Sequence, residues 1–100
     1  YDGVIKRSTL EEMWTTVVPV SPGVDMGLGY FLETHGGRRF VAHSGGQNGF
    51  ISHFWLDRDS KKAAIVAFNT QTESKAKGDA RNTRALDAAM RDKLVALVFK

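Results

Sequence analysis

The chain has 100 residues, 42% hydrophobic and 25% charged, with 14 basic side chains against 11 acidic ones. That composition fits one small globular domain and excludes a disordered segment. Zero cysteines exclude disulfides and thiolate metal sites, and no apolar run approaches the roughly 18 residues that a membrane span needs. The first residue is Tyr1 rather than Met, so a processed product or one piece of a longer protein is expected. Ser8-Thr9-Leu10-Glu11 has the form of a capping box, with Ser8 as N-cap of a short helix. The β-branched run Thr15 to Val18 and then Pro19 stop that helix, and "SPG" at 21–23 forms a turn or loop.

Four strand-like runs follow. Gly27 to Thr34 is closed by a Gly36-Gly37 turn, Arg39 to His43 comes next, and Phe50 to Leu56 is turned by "DRDSK" into Lys62 to Phe68. Such short connections favour antiparallel neighbours. Residues 70–78 are polar and loop-like, and Asp79 can cap a long helix to about Phe99 with an apolar stripe at Leu86, Met90, Leu94 and Leu97. The fold class expected is α+β: an antiparallel meander of about four strands, a short N-terminal helix, and a long C-terminal helix packed on the sheet. Lys75, Lys77, Arg81 and Arg84 form a basic cluster without interleaved aromatics, which suits a solvated surface rather than nucleic acid.

The chemistry concentrates in "RFVAHSGGQNGF", Arg39 to Phe50. Ala42-His43-Ser44-Gly45-Gly46 fits a relaxed nucleophile elbow, which needs a strand before its serine and a helix after it. Asn48-Gly49 is instead a hairpin signal, and "FISHFWL" is β-rich. No Asp or Glu lies between Ser44 and the only downstream histidine, His53, so the triad order of an α/β-hydrolase fails too. His35, His43 and His53 could hold a metal only if hairpin register put them on one face, and no H-x-H pair or carboxylate motif supports that.

"GLGYFLE", "HSGGQNGF" with a strand ending "LDRD", and "AAIVAFNT" before a terminal helix together resemble the C-terminal end of serine hydrolases. The family is that of β-lactamases and penicillin-binding proteins, with the closer likeness to class C β-lactamases and their esterase and D-aminopeptidase relatives. His43-Ser44-Gly45 stands where that family places its third motif, Lys-Thr-Gly in β-lactamases and often His-x-Gly in esterase-like members. The resemblance implies that His43 faces a substrate carboxylate or leaving group and that the Gly46 N–H is one of two oxyanion donors. Ser44 and Gly45 would let the substrate lie close to the strand edge. Asn69 is a candidate for the same cleft, or simply a turn residue. If His43 faces the cleft, the pleat turns the Ser44 side chain away from it.

The departures are as informative. The only Ser-x-x-Lys runs from Ser74 to Lys77, in a polar loop after the strands, and the family's Tyr-x-Asn is missing. Arg58 replaces a common proline, and Lys62 stands near a usual glycine. Residues 1–100 are therefore expected to be an incomplete domain, inactive alone, whose nucleophile comes from upstream sequence or a second polypeptide. The resemblance implies no cofactor, a small ester, amide or β-lactam substrate, and the remainder of the hydrolase domain as partner. A periplasmic or secreted location would fit it. A non-catalytic binding or structural α+β domain is the alternative, and an α/β-hydrolase fragment with Ser44 as nucleophile a further one.

Overall fold

The computed structural model describes residues 3–70 and 82–100. Helix α1 (Arg7–Met13) is followed by strands β1 (Val18–Ser21), β2 (Val24–Met26), β3 (Phe31–His35), β4 (Arg38–Gln47), β5 (Phe50–Asp57) and β6 (Lys62–Phe68), and by helix α2 (Thr83–Leu97). The six strands form one sheet in chain order, every neighbouring pair antiparallel. The α+β meander expected from the sequence is present, with six strands where four were expected.

The two additional strands are β1 and β2. The β-branched run after α1 leads into β1 at Val18, and Pro22-Gly23 closes the hairpin with Gly23 at φ 76°. Pro19 is tolerated because β1 is an edge strand, where its missing N–H leaves no ladder bond unmade. Ser8 is not the cap of α1. The helix starts two residues earlier, with Lys6 in the N-cap position and no side-chain cap bond. The end of α1 rests on Gly27, where an added Cβ would lie 2.3 Å from the Met13 carbonyl oxygen. Only glycine permits that approach.

Asp79 lies outside the described residues, and Asn82 caps α2, its side-chain oxygen accepting from the N–H groups of Arg84 and Ala85. The inward face of α2 also differs from the expected stripe. Met90 and Leu94 are half-buried, whereas Leu86 and Leu97 are exposed, and Asp87, Arg91 and Val95 turn inward instead. Leu94 and Val95 pack with the buried cluster of Phe40, Ala42, Trp55 and Phe99. Phe99, just beyond the helix, meets Phe40 edge-to-face with centroids 4.9 Å apart. On the opposite face Leu32 and Val41 are buried beside Trp14, but Ile65 of β6 is 76% exposed. Among the described residues no helix is long and apolar enough to cross a membrane.

Phe99 should therefore anchor α2. Phe99→Ala is expected to cost about 3–5 kcal/mol in denaturant unfolding, against about 0.5 kcal/mol or less for Leu97→Ala. Equal losses for the two would show that the helix docks by another face.

Candidate active site

The β4–β5 hairpin is closed by Gln47 and Phe50 around Asn48 (φ 50°) and Gly49 (φ 86°), both left-handed as a type I′ turn requires. No helix follows Ser44; it lies within β4, four residues before that turn begins. The elbow geometry is thus absent. In a two-residue hairpin the closing pair exchanges both backbone bonds, and the pairs then alternate. Gln47, Gly45 and His43 accordingly bond β5, while the N–H and C=O of Gly46 and Ser44 point the other way. On that side β3 pairs with β4 only as far as Phe31 opposite Ala42. Among the described residues, the edge of β4 from Ser44 to Gly46 is open.

This glycine end of β4 separates two hollows. A groove of about 370 Å³ is lined by Tyr30, His43, Phe54 and Ile65, and a cleft of about 440 Å³ by Ile51 and the α2 residues Arg84, Asp87, Ala88 and Arg91. Ser44 and Gly45 border both. Ser44 lies opposite His53 in the ladder, on the face that carries α2, and His43 is on the other face with its ring 5.4 Å from that of Phe31. Nothing lies within 4 Å of a Cβ built on Gly45, so packing among the described residues does not demand glycine there. Asn69 follows Phe68, which pairs with Ile51, itself opposite Gly46. It is at the same end of the sheet but two strand spacings away, about 10 Å.

Behind the cleft lies a charged network that the sequence did not reveal. His53 Nδ1 is 3.0 Å from Asp87 Oδ2 and Nε2 is 3.1 Å from Glu33 Oε1. Glu33 Oε2 accepts from Trp55 Nε1 at 3.2 Å and lies 2.7 Å from His35 Nε2. The His53 ring is 7% exposed and stacks on Trp55 at 3.9 Å. His35 and His53 thus converge on one carboxylate, while His43 faces away, so the three imidazoles do not form one cluster. The strand period could have placed Glu33 inward, but nothing local pairs it with a histidine 20 residues on or with Asp87, 34 residues beyond that histidine.

Burial alone would raise the Glu33 carboxyl. Hydrogen bonds from His53, His35 and Trp55 and the His53 charge outweigh it and hold the pKa at about 2, against an ordinary 4.5. Burial likewise pulls His53 down, yet its bonds to Glu33 and Asp87 and their charges raise it above 6.5. The stability contributed by His53 is complete below 6.5 and is lost as pH rises through the raised folded value. That of Glu33 is complete above 4.5 and is lost as pH falls toward about 2. Unfolding midpoints in urea should be highest between these limits and decline on the alkaline side, and His53→Gln should flatten that decline. An unchanged alkaline limb in the variant would place the proton elsewhere.

No curated protein and no solved structure matches the chain. A family model described as Beta-lactamase matches residues 3–88, a span that takes in the open edge of β4, both hollows' strand residues and Asp87, and the chain belongs to that family.

Proposed function

We propose that this chain supplies the oxyanion edge and third-motif histidine of a serine hydrolase that acts through an acyl-serine intermediate on an ester, amide or β-lactam. The observation that carries the proposal is the open edge of β4, where the hairpin register turns the Gly46 N–H outward. A carbonyl laid along that edge receives a preorganised donor as its oxygen becomes negative, an interaction worth about 3–4 kcal/mol of barrier. Gly45 supports the same view, since its side-chain space is left open beside the edge. His43, on the other face and exposed at the groove, is within the strand segment that a bound substrate would follow. In that position it can hold a substrate carboxylate or give a proton to the leaving group. The nucleophilic serine and its lysine are contributed by sequence outside these residues, since the only Ser-x-x-Lys, Ser74 to Lys77, follows the strands and lies outside the described residues.

Three substitutions in the full-length protein separate the roles. His43→Ala should lower kcat/KM by about 10²-fold. Gly46→Pro deletes the outward N–H while leaving the β5 ladder bonded, and should lower kcat by about 10²–10³-fold. Ser44→Ala should retain a substantial share of the activity. Mass spectrometry after fluorophosphonate treatment should place the adduct on a serine other than Ser44. An adduct on Ser44, or full activity in Gly46→Pro, would end this assignment.

A further inference from the structure

His53 faces Ser44 across the β4–β5 ladder. Counted from the closing pair of the hairpin, theirs is a non-hydrogen-bonded pair, in which side chains come closest. The same ring reaches β3 through Glu33 and α2 through Asp87. We propose that His53 is a positioning residue: donating from both ring nitrogens, it ties the first half of α2 to the sheet and so fixes the cleft behind the Ser44–Gly46 edge. The proposal rests on the assignment of that edge as the oxyanion site.

Three observations support it. A neutral imidazole has one N–H, so only the imidazolium can donate to both carboxylates at these distances. Asp87 Oδ1 is buried without a hydrogen-bond partner among the described residues, which leaves the His53 bond to carry the Asp87 carboxylate. Finally, the apolar contacts of α2 lie in its second half, at Leu94 and Val95, whereas Arg84, Asp87, Ala88 and Arg91 border the open cleft. Between the buried Thr83 and that packing, Asp87 adds a polar link to the sheet. The groups facing His53 are Glu33, with His35 behind it, from β3, and Asp87 from α2. Arg84 and Arg91 flank Asp87 on the cleft wall, and β4 and β6 present the uncharged Ser44 and Val66. Loss of the His53 proton turns a ring lone pair toward one carboxylate. The first half of α2 then loses that link at Asp87, and the strand end carrying the Gly46 donor loses part of its backing. Because such a donor acts on charge that develops in the transition state, the effect falls on kcat rather than KM.

The test uses the full-length protein with p-nitrophenyl acetate from pH 6 to 10, together with hydrogen exchange at the amides of residues 44–46 and 83–88. Asp87→Asn should lower kcat about tenfold, the order expected from a small misplacement, with KM within about twofold. Its alkaline kcat limb should move to lower pH, because His53 loses one of two carboxylates. Those amides should exchange at least about tenfold faster. His53→Gln should abolish the limb, and Glu11→Gln, an exposed α1 variant, should change nothing. If Asp87→Asn lowers stability but leaves both the limb and the exchange in place, His53 is merely structural. If wild-type protein turns over no ester, amide or lactam, the hydrolase assignment falls. The link itself is then decided by exchange and by NMR titration of His53: an unmoved titration and unmoved exchange in Asp87→Asn would overturn it.

Discussion

The left-handed pair Asn48-Gly49 constrains more of this molecule than any other two residues. By allowing a two-residue turn it sets Gln47 against Phe50, and from that pair every other position along β4 and β5 follows. His43 goes to one face and Ser44 to the other. The N–H of Gly46 goes to the open edge rather than into the ladder. A slip of a single residue would reverse all three, bury His43 beneath α2, and remove His53 from the reach of Glu33 and Asp87. The glycine at 49, with φ 86°, is therefore as much a part of the site as the residues that line it.

The two ends of the sheet face that α2 covers are held by different physics. Beneath the second half of α2, Phe40, Ala42, Trp55 and Phe99 form a dry cluster, and hydrophobic burial is the main term. Beneath its first half the same sheet face carries Glu33, His53 and, through Trp55 Nε1, an indole donor. Charges so placed stabilise only while each is paired, because removing one partner leaves the other uncompensated. The Arg38–Asp57 pair at 2.7 Å is simpler: Asp57 also accepts from Ser60 and from the Asp59 and Ser60 backbone, so it serves the β5–β6 turn. In that turn Lys61 adopts φ 56°, a conformation glycine holds more easily. The residue under backbone strain is thus Lys61, one position before the Lys62 that stood out in the sequence.

Local signals were legible and distant ones were not. The alternation and turn residues of "FISHFWLDRDS" and "KKAAIVAF" located β5 and β6, and "NG" located the hairpin, because each depends on a few adjacent residues. Thr15 to Pro19 carried two messages at once, the end of α1 and the approach to β1, and only the first was legible. For α2 the expected stripe held at Met90 and Leu94 but not at Leu86 and Leu97, since Thr83, Asp87 and Arg91, which an apolar count does not see, turn inward. The segment from His43 to Gly46 could be singled out. The residues behind it could not, because Glu33, His53 and Asp87 meet only after three elements have packed.

Pairing in strict chain order also has a kinetic meaning. Each ladder joins sequence neighbours through a short turn, so the entropy lost in closing any one of them is small and the contact order of the sheet is low. The docking of α2 is the long closure, and its polar bond spans 34 residues between His53 and Asp87. A meander of local hairpins is thus expected to form before its helix docks, with Trp55 and His53 already neighbours on β5. Trp55 ends 1% exposed, stacked 3.9 Å from the imidazole. With the second indole, Trp14, replaced, Trp55 emission is expected to report the moment at which α2 closes over it.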